Sequence, residues 1–281
     1  METRVGVHSW FLSILTMVLN GFVIFLVCSK RHLRTKTNAF VVSLVVADFG
    51  VGMITVPSFF LCTLATECPQ GSNEELIEAF LNLFTLYASG TNLVSLVLER
   101  YVAIVKPLKY LTFMKRRRVI RMVLTSWGIP FLFSLTLVSI KHGVIDRAWT
   151  IGGYLHLLFE AISVVILIFF LASMFFVVYN LNSRDRNLAK QLRFNQLFVR
   201  AKTHNTSAVK WVALVTCVFL SYYGIMMRCS LLDITDNSPC NDEYFKIPLR
   251  LINSGINPIA YAFFKRDIKR EFKSLLCRRR R

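Results

Sequence analysis

The chain is poor in charge and poorest in acid. Asp and Glu total 16 of 281 residues against 34 Lys and Arg, and charged residues make up only 18%. Its five histidines, His8, His32, His142, His156 and His204, are scattered. No Ser/His/Asp or metal-ligand spacing stands out, so the sequence does not point to an enzyme. Internal repeats are missing, as are matched interrupted segments in two halves, which argues against a transporter or channel. No small-residue cleavage site follows the first apolar segment; Lys30-Arg31-His32 does. That segment therefore reads as a retained helix rather than a leader. What the chain does have is apolar surface: 54% of its residues are hydrophobic, the composition of a polytopic membrane protein.

Windows of about 19 residues give seven candidate spans, at 9–29, 38–66, 76–105, 119–140, 154–181, 209–231 and 244–264. Each reaches about the 20 residues a helix needs to cross a bilayer. The length suits one bundle, a single domain over 1–281. Lys and Arg number four in the 30–37 loop, six in 106–118, seven in 182–210 and nine from Lys265 onward. All of these fall on one side of the bundle. Ten of the sixteen acids fall at or near the other side, among them Glu74, Glu75 and Glu78. The basic side is the cytoplasmic one, so the N-terminus is expected outside and the tail inside. The net charge of +18 is then a topology signal and a contact for acidic lipids, and no nucleic-acid partner is expected. Most of the outer acids read as solvated loop charge, with an acidic vestibule that draws cations as the functional alternative, centred on Glu74, Glu75 and Glu78 at the start of the third span.

Polar residues inside the spans carry the functional information. Asp48 lies in the middle of the second span, where a lone carboxylate is costly and must face the bundle interior. Ser89 lies eleven residues before Arg100, roughly 16 Å along the helix axis, near mid-bilayer. Asn253 and Asn257 lie at similar depth in the last span, and Asn20 in the first. These five make a polar core that a sodium ion or a proton on Asp48 would satisfy. Pro258 removes a backbone donor and frees a carbonyl one turn earlier. Glu99-Arg100-Tyr101 closes the third span at its cytoplasmic end.

These residues resemble the class A, rhodopsin-like G-protein-coupled receptors over nearly the whole chain. The resemblance is carried by Asn20, by Leu44, Ala47 and Asp48, by Glu99-Arg100-Tyr101 followed by Pro107-Leu108, by Trp127, and by Asn257-Pro258-Ile259-Ala260-Tyr261. Phe264-Lys265-Arg266 through Phe272 resembles the amphipathic eighth helix, over about 265–276, and Cys277 beside Arg278–Arg281 is a palmitoylation candidate. The resemblance implies an all-α bundle of seven transmembrane helices plus that eighth helix, in the plasma membrane. It implies coupling to a heterotrimeric G protein through outward movement of the sixth helix, with Arg100 switching from Glu99 toward Tyr179 and Tyr261. It also implies sodium held by Asp48, Ser89, Asn253 and Asn257.

The chain departs from the family pattern on its outer side. Glu75 stands where the third-helix cysteine falls, and Lys141–Gly153 contains no Cys. Two pairings among the remaining outer cysteines are open, Cys229 with Cys240 and Cys62 with Cys68. Leu171 replaces the fifth-helix proline, and Tyr222-Tyr223-Gly224-Ile225 replaces Cys-Trp-x-Pro in the sixth helix. No acid opens the cytoplasmic end of that helix, so the inter-helix ionic lock is in doubt and raised basal activity is expected. Asn82 stands at the amine-binding Asp position, and Leu251 at the retinal Lys, so no retinal is expected. Counting by the family's positions puts the ligand pocket at Glu78, Asn82, Leu86, Glu160, Ser163, Tyr223, Met227 and Leu251. A small cation, a peptide and a lipid are all open as ligands. The absences together lean toward the melanocortin, adenosine and lipid-receptor branch. The rival readings are a receptor fold that does not couple to a G protein, and a membrane transporter.

Overall fold

The computed structural model describes the backbone of residues 2–64, 73–141, 148–191, 196–235 and 243–278. Side chains are described, with a few gaps, over 8–55, 75–140, 150–180, 209–235 and 245–274. The helices are α1 (Glu2–Ser29), α2 (Lys36–Leu64), α3 (Asn73–Val105), α4 (Pro107–Phe113), α5 (Arg116–Lys141), α6 (Ala148–Gln191), α7 (Gln196–Thr235), α8 (Glu243–Phe264) and α9 (Arg266–Arg278). The seven spans are thus α1, α2, α3, α5, α6, α7 and α8.

Among the described residues, six helices are long and apolar enough to cross a membrane. The exception is α8, whose apolar run is diluted by Lys246, Arg250, Asn253 and Asn257 and by the internal prolines Pro248 and Pro258. It packs as a full member of the bundle, against α1, α2 and α7. The helices α6 and α7 run past the bilayer length expected of them, to Gln191 and from Gln196. The ends of the 182–210 segment therefore continue both helices. With no proline inside it, α6 is one unbroken helix of 44 residues.

Short elements shape the basic face. Leu33, in a 3-10 turn between α1 and α2, is buried. Pro107 opens α4 at its first turn, where a missing N–H costs nothing. The chain then breaks at Lys265, and α9 turns along the bundle end. Its Ile268 is buried, and its Phe272 meets Phe22 of α1 edge-on at 5.9 Å. Glu271 of α9 pairs with Lys30 at 3.7 Å and lies 3.3 Å from His32. One apolar cluster fills the interior from Val23 of α1 through Leu96 of α3 and Met174 of α6 to Phe219 of α7 and Tyr261 of α8.

Candidate functional site

Three polar layers lie along the axis of the bundle. The middle one is built on Asp48, which is fully buried. Ser89 Oγ donates to Asp48 Oδ1 at 2.6 Å, and Asn257 Nδ2 donates to Asp48 Oδ2 at 2.6 Å. Ser254 supplies a further side-chain hydrogen bond. Asn253, expected among these donors, is buried one position away along the same helix and is not one of them. Asn20 does not reach Asp48 either: its Nδ2 donates to Thr16 O at 2.9 Å and to Ser254 O at 3.3 Å. The second of these is the carbonyl that Pro258, four residues on, leaves without its helical donor. Thr16, one turn before Asn20, donates to Leu251 O at 3.2 Å. The proline's cost in α8 is thus met by a side chain of α1.

Asn257 Oδ1 is buried without a hydrogen-bond partner. One orphaned amide oxygen beside a carboxylate and two hydroxyls is an all-oxygen donor set, the kind a hard cation takes.

The layer at the basic face, expected to be the cytoplasmic one, is built on Glu99, buried at the end of α3. Arg100 Nε lies 2.6 Å from Glu99 Oε2. Thr37 Oγ1 donates to Glu99 Oε1 at 2.8 Å, and Tyr110 OH donates to the same oxygen at 2.6 Å. Burial, and then the Glu99 charge, push the Tyr110 phenol above its ordinary range, which keeps it a donor. Arg100 also lies over the ring of Trp211, 5.9 Å from guanidinium carbon to centroid. Trp211 belongs to α7 and stands edge-on to Tyr261 at 5.4 Å. An aromatic face thus takes the place of the missing acid on the sixth span. Tyr179, expected beside Arg100, is 73% exposed on the outside of α6. The Tyr261 hydroxyl is buried without a hydrogen-bond partner. Just past α8, Lys265 donates from Nζ to Asn38 Oδ1.

The third layer, at the end expected to face outward, gathers aromatic and charged groups. Tyr223 is fully buried, stacked on Phe219 at 4.2 Å and edge-on to Tyr222 at 5.2 Å. A Cβ added to Gly90 of α3 would stand 3.1 Å from the Tyr223 hydroxyl and 3.2 Å from Phe219, so glycine lets α3 and α7 approach here without displacing either ring. Tyr87 OH lies 2.5 Å from His156 Nδ1, and His156 Nε2 lies 3.5 Å from Glu160 Oε1. Ser163 spends its hydroxyl on Phe159 O at 2.9 Å. Leu251 is buried with Val51 on the α1–α2 side, next to Trp10, Leu12 and Ile247, away from this layer. Glu78, Leu86 and Met227 are half-buried. Asn82 accepts from Arg250, at its carbonyl from Nη2 (2.6 Å) and at its Oδ1 from Nη1 (3.5 Å). Arg250 thereby ties α8 to α3.

Cys229 is disulfide-bonded. The candidate partners Cys240, Cys62 and Cys68, and the lipidation candidate Cys277, lie outside the residues whose side chains are described.

Residues 19–261 match the family model described as 7 transmembrane receptor (rhodopsin family). The chain belongs to that family: it is a G-protein-coupled receptor and a multi-pass membrane protein, neither an enzyme nor a transporter. It is 24% identical to the neuropeptide S receptor of Mus musculus, over 95% of this chain and 78% of that one. It is 26% identical to the histamine H2 receptor of Homo sapiens, over 95% of this chain and 77% of that one. To the histamine H1 receptor of Bos taurus it is 30% identical, over 47% of this chain and 27% of that one.

Proposed function

We propose that this receptor sits in the plasma membrane with its N-terminus outside. A ligand enters between α3, α6, α7 and α8, and α7 swings outward to open Arg100 to the G protein. The observation that carries this reading is the contact of Arg100 with both Glu99 and Trp211. It ties the third span to the sixth at the face where the G protein would dock. Outward movement of α7 carries Trp211 away from Arg100, and release from Glu99 then leaves Arg100 and the buried Tyr261 hydroxyl free to meet new partners. A ligand drives this only by binding the open state more tightly.

The Asp48 layer is read as a sodium site of the resting state, held by Asp48, Ser89, Ser254 and Asn257. The unpartnered Asn257 Oδ1 supports this. A ligand with a basic nitrogen is favoured by the buried Glu160 and by the acidic outer residues. Two relatives are named for histamine and a neuropeptide, so a small amine and a peptide both suit the site better than a lipid. The test is G-protein nucleotide exchange in membranes holding equal surface amounts of wild type and Arg100→Ala. The variant is expected to lose exchange and keep its fold and surface delivery; unchanged exchange would contradict the reading.

A further inference from the structure

We propose that the outer layer takes a small ligand carrying both an acid group and a basic nitrogen, the acid held by Arg250 and the nitrogen by Glu160. This rests on the receptor reading above and narrows its ligand. Arg250 lies in the outer half of α8 and, among the described residues, is met by neutral oxygens. Its Nη2 donates to Asn82 O at 2.6 Å and Thr85 Oγ1 at 3.0 Å, and its Nη1 to Asn82 Oδ1 at 3.5 Å. The Nε–H is buried with no hydrogen-bond partner. Among the described residues no carboxylate lies within ion-pair distance of it.

Glu160 on α6 has the complementary problem. It is 1% exposed, and its Oε2 has no hydrogen-bond partner. Its Oε1 has only the His156 ring at 3.5 Å, and that ring already engages Tyr87 through its other nitrogen. No Lys or Arg among the described residues pairs with it.

Two ionisable groups, one acidic and one basic, are therefore each left without an oppositely charged Lys, Arg, Asp or Glu partner among the described residues, although both act electrostatically on the same tyrosines, Tyr87, Tyr222 and Tyr223. An uncompensated charge in a membrane helix is costly. A simple amine would relieve Glu160 and leave Arg250; a simple acid would do the reverse. A ligand with both groups relieves both, while its carbon frame lies against the three tyrosine rings.

A ladder of unbranched ω-amino acids with increasing numbers of methylenes tests the idea and measures the gap between the two groups. Thermal stabilisation of the purified full chain would be compared with that from n-alkylamines and n-alkyl carboxylates of equal length. One rung is expected to stabilise the wild type at concentrations at least about tenfold lower than either single-group series. In Arg250→Gln that rung should fall to the level of the amine, and in Glu160→Gln to that of the acid. The idea is overturned if no rung exceeds both single-group series in the wild type, a comparison that does not depend on the variants folding. It is also overturned if the advantage survives Arg250→Gln. Basal G-protein activation is read on the same preparations. Activation without a ladder effect faults this inference alone, and a ladder effect without activation faults the receptor reading.

Discussion

Glu99 accepts hydrogen bonds from Tyr110 and Thr37 through one carboxylate oxygen and holds Arg100 through the other, 2.6 Å away. One buried side chain thus ties together α2, α3 and α4. Replacing Glu99 by Gln keeps its shape and removes the charge that holds Arg100. A change of about 1.4 kcal/mol in the balance between the held and released states is a tenfold change in their ratio. The variant is therefore expected to raise ligand-independent nucleotide exchange roughly tenfold, as read with purified G protein at matched receptor amounts. Exchange at or below the wild-type level would mean that Glu99 does not restrain Arg100.

Sodium should stabilise the resting receptor. Its melting temperature is expected to rise when an organic cation of equal ionic strength is replaced by sodium, and the rise should vanish in Asp48→Asn and shrink in Asn257→Ala. If Asp48→Asn keeps the full sodium response, the ion binds elsewhere.

Gly90 lets Tyr223 and Phe219 rest against α3. A methyl group there would meet the Tyr223 hydroxyl at 3.1 Å and Phe219 at 3.2 Å, and both rings are buried and stacked. Gly90→Ala is expected to cost about 1–3 kcal/mol by overpacking, and Gly90→Leu more. Thermal unfolding in detergent measures this; an unshifted midpoint in Gly90→Leu would show that α3 and α7 are not in contact here.

Lys265 gives the receptor a pH response at the basic face of the bundle. Burial, and then the Arg100 charge, push its ammonium down from 10.5 to about 7. The folded state then binds fewer protons than the unfolded one above about pH 7, so this group's contribution to stability rises with pH from there. Lys265→Met removes that slope. The melting temperature of the variant relative to wild type is expected to fall as pH climbs from about 6 to about 9. A difference that stays constant over that range would contradict the shift.

Much of this arrangement can be read from the residues, because polar groups in apolar spans are conspicuous. Asp48, Ser89 and Asn257 are such groups, and they meet as their depths suggest. Ser254 in place of Asn253 could not be read that way: neighbouring positions on a helix point about 100° apart, and Pro258 alters the local backbone. Arg250 counts as an outer-loop charge when Lys and Arg are tallied, since its value depends on Asn82 and Thr85 of another helix. Trp211 is one aromatic residue in an apolar span, unremarkable until Arg100 is placed over its face. Tyr179 was assigned by the family's pattern, and its outward position belongs to this chain's own packing of α6.

Arg100 lies over the Trp211 ring, 5.9 Å from its centroid, where the sixth span offers no acid at its basic end. A cation over an aromatic ring contributes about 0.5–2 kcal/mol, enough to shift a two-state equilibrium several-fold. The direct measurement is ligand-independent nucleotide exchange by wild type, Trp211→Leu and the Arg100→Ala/Trp211→Leu double variant, at equal surface amounts. Trp211→Leu is expected to exceed wild type several-fold, and the double variant to be silent. Equal exchange by wild type and Trp211→Leu, or activity in the double variant, would mean that Trp211 does not restrain Arg100.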